Sequence, residues 1–587
     1  MSHLESNSLV RVPSHLKQFV VEQDYERYTP IDHAVWRYVM RQNSHFLDKR
    51  AHEAYIDGLR TSGISIEKIP NVHEMNQSLS QIGWGAVTID GFIPAVAFFD
   101  FQAHGILPIA CDIRQYDHIA YTPAPDIIHE AAGHSPIIKD DKYRTYLRIF
   151  GDIGSRALST REDYELYEAI RLLSIVKEDP EATSEQVEEA ERDLERKVQA
   201  VTEVSEATQL SRLYWWTVEY GLIGDIENPL IYGAGLLSSV GESMSCLQPH
   251  VTKILFSLKA CIETDFDITK PQPQLFVCQN FDQLIEAVQE FAQTMGMSVG
   301  GTENLKKAQH MGQVATAVYS SGLQVSGVFH EFVYDESGEA VYLKTNGPTA
   351  LAVAGQQLSD HGKEKHNEGF GSPIGLLVDA TKSLEDMNDE ELHALGVVVN
   401  QQATLKFASG IEVNGEVRYI HREEGKIVLI GFDSCTVNRG DNILFQSDWG
   451  IFDMAVGAQI VSVFAGAADR EEFAVGTHQP SAVKTKKPHY SPRTTQLHQL
   501  FQTVRYLREG DFSDEEVAQT IKQVMDELDQ EYPNDWLLRL ELLECCMDNE
   551  ILVSEKEQLH RMLVKLANEQ AENKPLIENG LGLLSLC

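Results

Sequence analysis

Basic side chains are in short supply in this 587-residue sequence: 49 Lys and Arg face 88 Asp and Glu, giving a formal net charge of −39 and a pI near 4.9. Such a chain repels polyanions, which argues against nucleic acid and anionic membrane surfaces as partners. Long apolar runs are missing too. No stretch of 18 apolar residues occurs, and the opening Met1-Ser-His-Leu-Glu-Ser-Asn-Ser carries no apolar leader. A soluble, cytoplasmic protein with no membrane partner is therefore expected. Cysteine is sparse: Cys111, Cys246, Cys261, Cys278, Cys435, Cys545, Cys546 and Cys587 form no CxxC pair, a pattern of reduced thiols rather than a disulfide framework. What remains, 43% hydrophobic and 23% charged, is ordinary globular composition, and the length implies two to four domains.

The richest stretch runs from Tyr121 to Pro136, where His129 and His134 lie five residues apart with Glu130 beside the first. Neutral imidazole is the commonest transition-metal ligand among side chains, so the pair is a metal hypothesis. The spacing departs from the i, i+4 pattern of His-Glu-x-x-His zinc hydrolases. On an ideal α-helix at about 100° per residue, a residue at i+5 points about 140° away from the first. Convergence on one ion then requires the helix to be ending, and Gly133 and Pro136 are a fitting stop. The third ligand expected is Glu219, an acid embedded in the aromatic run Tyr214-Trp-Trp-Thr-Val-Glu219-Tyr-Gly221. A buried carboxylate is costly unless it is paired, hydrogen-bonded or metal-bound. Two His and one carboxylate form the facial set of non-heme Fe(II) oxygenases.

Three ordered blocks carry a resemblance: Pro125-Asp-Ile-Ile-His129-Glu-Ala-Ala-Gly-His134-Ser-Pro136, then Tyr214-Trp-Trp-Thr-Val-Glu219-Tyr-Gly, then Tyr232-Gly-Ala-Gly-Leu-Leu-Ser-Ser-Val-Gly-Glu242. Together they resemble the pterin-dependent aromatic amino acid hydroxylases, from about residue 20 to residue 297. The resemblance implies a monooxygenase that uses O2, non-heme Fe(II) and tetrahydrobiopterin to hydroxylate a free aromatic amino acid. Phenylalanine to tyrosine is the expected reaction, with tyrosine or tryptophan as alternative substrates. It implies His129, His134 and Glu219 as iron ligands. Arg114, Thr122, Asp126, Trp215 and Ser238 would line the amino acid site, with Arg114 gripping the substrate carboxylate as a guanidinium fork can. Phe98, Glu130 and Tyr214 would sit at the pterin, Phe98 by stacking and Glu130 by hydrogen-bonding the pterin or iron-bound water in a catalytic role. Two other readings stay open at this point: a zinc-dependent hydrolase with Glu130 as base, and a catalytically silent scaffold. The pair Gly233-Ala-Gly235 lacks the third glycine and preceding strand of a nucleotide loop, and close backbone approach is its simpler purpose.

The expected architecture is a mainly α catalytic domain over 21–298, preceded by a tail at 1–20 and interrupted by a helical insertion at 160–210. In that insertion Thr183-Ser-Glu-Gln186 reads as a capping box. A β-rich domain follows at 299–475, with hairpin signals at Asp335–Gly338, Asn346-Gly347, Asn414-Gly415 and Glu424-Gly425. His361 and His366, in a polar glycine-rich loop, read as solvated. A basic linker at 476–494 then leads to an α-helical module at 495–587, where Ser513-Asp-Glu-Glu516 starts a helix. Regulation or oligomeric association is the role expected of the C-terminal parts.

Overall fold

The computed structural model describes residues 11–89, 93–116, 119, 126–178, 183–267, 270–474, 490–547 and 552–584. Helices dominate the first half, with two small sheets among them. Strands Gly85–Ile89 and Ile106–Ala110 pair in parallel. A four-stranded sheet runs in the order Asn228–Ile231, Leu222–Asp225, Gln274–Cys278, Thr252–Leu255. Residues 11–20, expected as tail, are tied down: Leu16 packs with Phe101 and Ile106, and His15 Nε2 lies 2.7 Å from Asp100 Oδ2. The insertion is a pair of contacting helices, Arg161–Glu178 and Ser184–Ala200, the second begun by a reciprocal cap between Thr183 and Gln186.

The β-rich region holds two antiparallel sheets. One orders Gln356–Gln357, Ala340–Val353, Leu323–Tyr334, Val314–Tyr319 and Ile460–Ala465, with Gly371–Pro373 also on Ala340–Val353. The other orders Gln402–Lys406, Ile411–Glu423, Lys426–Arg439 and Asn442–Phe445, with Phe452–Ala455 also on Lys426–Arg439. Their apolar faces share cores: Val341 and Tyr342 of the first pack with Val413 and Val437 of the second. Asp335–Gly338 and Glu424-Gly425 are turns between paired strands. The other two glycine signals are not. Asn346-Gly347 lies inside the single strand Ala340–Val353, and Asn414-Gly415 inside Ile411–Glu423, each beside a register shift. At Asn346-Gly347 the bulge uses the left-handed backbone of Gly347 (φ +70°), which a hairpin turn would also need, whereas Gly415 makes room for Cys435, a Cβ there lying 3.0 Å from the Cys435 Cβ.

The solvated reading of His361 and His366 is also corrected. His366 is buried, and both rings turn inward toward Asp453. The linker expected to reach 494 stops earlier, since Ser491 caps the helix Pro492–Glu509; Pro480 to Pro488 lie outside the described residues.

The C-terminal helices Pro492–Glu509, Asp514–Glu531, Leu537–Cys546, Val553–Glu569 and Lys574–Leu584 do not form a core of their own. Phe501, Leu528, Trp536 and Leu563 belong to the same apolar cluster as Trp36 and Val39 of the helix Pro30–Leu47. That helix is capped reciprocally by Thr29 and Asp32 and is buried on nearly all sides, polar residues included. Arg37, which periodicity places between apolar positions, is 1% exposed and bidentate to Glu541 at 2.5 and 2.8 Å. Tyr38 donates to the Leu576 carbonyl at 2.7 Å and meets Trp536 edge-on at 5.4 Å. Trp536 also stacks on Tyr116 at 5.9 Å.

Removing one partner of a buried ion pair strands the other charge, at a cost of about 3–5 kcal/mol. Glu541→Gln is therefore expected to lower unfolding stability by that order at pH 7. Burial alone would raise the Glu541 carboxyl, but Arg37 and Arg508 hold it below its ordinary value. A carboxyl depressed in the folded state stabilises above its unfolded pKa and ceases to do so as pH falls toward the folded value. The gap between wild type and Glu541→Gln, measured by denaturant titration, should accordingly shrink as pH drops below the usual carboxylate range.

Candidate metal centre

The two histidines sit on a π-helical turn, Ile128–His134, rather than on a fraying α-helix. A π-turn bonds i to i+5, so residues five apart stack on one face, and the His-x4-His spacing matches that winding. The chain does not stop at Gly133: a 3-10 turn, Pro136–Lys139, follows directly. Gly133 has a different purpose. A Cβ there would lie 2.6 Å from the Ala234 carbonyl oxygen, so glycine lets the helix Ala234–Ser238 close on the π-turn. Gly233 likewise admits the Glu219 backbone, with a hypothetical Cβ 2.4 Å from its carbonyl oxygen. Glu219 itself ends a second π-turn, Trp215–Glu219.

Three ligand groups converge. His129 Nε2 and His134 Nε2 are 3.2 Å apart; His129 Nε2 is 3.2 Å from Glu219 Oε2 and His134 Nε2 is 3.2 Å from Glu219 Oε1. Metal–nitrogen and metal–oxygen bonds of about 2.0–2.2 Å span such separations. Burial disfavours charge on His129 and on Glu219, yet Glu219 raises the His129 imidazole to about 9, and the imidazoles hold the Glu219 carboxyl well below its ordinary range. Glu130 is also drawn in. Its carboxylate lies 3.9 Å from His134 Nε2, and its ligand atom falls within 4.8 Å of those of both histidines. Its buried Oε2 has no hydrogen-bond partner among the described residues, and burial lifts its pKa. An inward-facing carboxyl without a partner, beside two imidazoles and an acid, is a donor set that fits a divalent metal and a further polar ligand.

Behind this cluster Asp126 links two roles. Its carboxylate accepts from Arg114 Nε at 2.8 Å and Nη2 at 2.9 Å, and from the His129 backbone N–H at 3.0 Å. Among the described residues Arg114 Nη1 makes only long contacts, 3.4 Å to the Ser238 carbonyl and 3.5 Å to that of Ile119. Ser238 lies between this guanidinium and the histidine turn: its hydroxyl is 3.1 Å from His129 Nδ1 and donates to the Ala234 carbonyl at 2.8 Å. Trp215 is sandwiched between Tyr220 at 4.5 Å and Phe266 at 4.4 Å. Phe98 and Tyr214 meet edge to face at 6.0 Å, and the Tyr214 hydroxyl accepts from Gln102 Nε2 at 2.7 Å within the packed core. Thr122 lies outside the described residues. Sequence reasoning missed Gln102 and the Ser238–His129 contact; neither leaves a local pattern.

Residues 21–165 and 198–301 match the sequence model of the biopterin-dependent aromatic amino acid hydroxylases. Over these residues the chain is similar to the pterin-dependent aromatic amino acid hydroxylases. The gap in the match, 166–197, falls on the inserted helix pair. Among its relatives, the phenylalanine-4-hydroxylase of Chromobacterium violaceum is 28% identical over 271 residues, covering 46% of this chain and 76% of that protein. That of Pseudomonas aeruginosa is 26% identical over 278 residues, covering 46% and 89%. The crystal structure of the C. violaceum enzyme with iron(III) and 7,8-dihydrobiopterin superposes with a TM-score of 0.37 at 26% identity, covering 47% of this chain and 85% of that one.

Losing a group that orients a metal-bound histidine typically weakens metal affinity about 10–100-fold. Ser238→Ala is expected to weaken Fe(II) binding by that factor, read by anaerobic titration, with a smaller change in KM for the amino acid. The reverse pattern would return Ser238 to the substrate side.

Proposed function

We propose that this chain is an Fe(II)- and tetrahydropterin-dependent monooxygenase that converts L-phenylalanine to L-tyrosine. The observation that carries the reading is the set of 3.2 Å separations among His129, His134 and Glu219; the family match and the phenylalanine-4-hydroxylase relatives support it. Ferrous iron together with a tetrahydropterin supplies two-electron reduction of O2, one oxygen atom entering the aromatic ring. The protein's share is to hold and orient. His129, His134 and Glu219 would hold the iron on one face. Asp126 occupies two guanidinium donors of Arg114 and turns Nη1 toward the substrate carboxylate, with Thr122 beside it. Trp215, braced by Tyr220 and Phe266, offers a rigid aromatic wall that fixes the ring of the amino acid. Phe98 would stack on the pterin, with Tyr214 supporting Phe98 edge-on. Glu130, raised by burial, would donate to or accept from a pterin nitrogen or a bound water. The regions at 299–475 and 495–587 would serve regulation or association.

The test is anaerobic loading with Fe(II), followed by oxygen-coupled turnover of phenylalanine, tyrosine and tryptophan with tetrahydropterin. Tyrosine formation coupled to pterin oxidation is expected, with phenylalanine the best substrate. Zinc in the isolated protein and hydrolytic activity indifferent to pterin would point instead to the hydrolase. His134→Ala is expected to abolish iron binding and hydroxylation. Arg114→Lys, which loses the planar fork, should raise KM for the amino acid about tenfold or more, while kcat changes less. Retention of full iron and turnover by His134→Ala would overturn the ligand set.

A further inference from the structure

A second constellation of ligand-type side chains lies in the β-rich region. The loop after Gln356–Gln357 brings His361 and His366 over the strands Ile411–Glu423 and Phe452–Ala455, against Tyr419 and Asp453. His361 Nδ1 is 3.3 Å from His366 Nε2 and 4.0 Å from Asp453 Oδ2, and His366 Nε2 is 3.9 Å from that same oxygen. We propose that His361, His366 and Asp453 form a second metal site, for a divalent first-row transition ion, independent of the site at His129, His134 and Glu219.

The geometry is that of a ligand set. A triangle with these sides has one point about 2.2 Å from every corner, the length of a metal–nitrogen or metal–carboxylate bond. The carboxylate is built for such a role. Its Oδ1 accepts from the Tyr419 hydroxyl at 2.5 Å, which fixes its orientation as an outer hydrogen bond fixes a metal ligand. Its Oδ2 is buried and has no hydrogen-bond partner among the described residues, though the Asp453 side chain is only 2% exposed. A buried carboxylate oxygen of this kind calls for an explanation. Lys365 Nζ, 3.6 Å from Oδ2, compensates part of the charge. It is more exposed than the ligands and sits on the mobile end of a long side chain, so a metal ion can displace it into water. Two imidazoles and one carboxylate select zinc, iron, cobalt or nickel over calcium and magnesium, which prefer all-oxygen shells. Tyr419 can approach because residue 431 on the neighbouring strand is glycine; a Cβ there would lie 2.1 Å from the tyrosine ring.

Cobalt(II) is the probe. The full-length chain, stripped by chelator, reloaded with Co(II) and dialysed, is expected to retain two ions, counted by elemental mass spectrometry. The His134→Ala chain should retain one, with visible d–d absorption, and the His134→Ala/His361→Gln chain none. His361→Gln alone should keep iron-dependent hydroxylation within about twofold of wild type, because the site lies apart from the reaction. Lys365→Gln, which removes the competing cation from an exposed position, should tighten Co(II) binding severalfold in the His134→Ala background. Absence of cobalt from His134→Ala, or equal cobalt in His134→Ala and His134→Ala/His361→Gln, would overturn the proposal. So would a Lys365→Gln chain that loses stability and gains no cobalt affinity, since Lys365 would then be the structural partner of Asp453.

Discussion

Two imidazoles and a carboxylate held 3.2 Å apart in a buried pocket are expensive to desolvate singly, and their convergence is what makes the burial tolerable. Much of the first half of the chain serves that convergence. The π-turn at Ile128–His134 winds the backbone so that two ligands five residues apart face one point, and a second π-turn, Trp215–Glu219, ends on the third ligand. Glycines at 133 and 233 allow the supporting backbones to touch, and Asp126 ties the histidine turn to Arg114. The π-turn itself has a thermodynamic cost, because its wider winding packs the backbone less well; such turns concentrate at functional sites for that reason. Charge distribution follows the same logic. Burial disfavours charge on His129 and Glu219, but each favours the charged form of the other, so His129 is raised and Glu219 lowered.

The two sheets between residues 314 and 465 present a parallel solution on a different scaffold. There a loop and two strands, rather than helical turns, bring His361, His366 and Asp453 together, and the orienting hydrogen bond comes from a tyrosine across the sheet. The same chemistry thus arises from two unrelated backbone geometries within one chain, as expected when function depends on the placement of side chains and not on the fold that carries them.

The ligand-bearing blocks were readable because residue identity and short spacing carry them. What spacing could not show was the winding: an α-helical ruler places His134 about 140° from His129, and only the π-turn reconciles the two. Capping boxes at Thr183 and Ser513 were legible because both partners lie within four residues. Asn346-Gly347 misled because a bulge and a hairpin ask the same of Gly347, and Asn414-Gly415 because its glycine makes room for Cys435 instead. Arg37 and Glu541 left no mark at all, being 504 positions apart, and the polar setting of His361 and His366 hid the fact that Asp453, nearly ninety residues further on, folds against them.

The packing of the last helices against Pro30–Leu47 bears on how the polypeptide matures. The helix Pro30–Leu47 is made well before the helices from Pro492 onward that cover it, so its apolar and ionic faces stay open to solvent while the intervening residues are made. Nascent chains in that condition depend on chaperones to keep such surfaces from sticking to one another. The packing around Pro30–Leu47 can thus be completed only after the helices from Pro492 to Leu584 have been made.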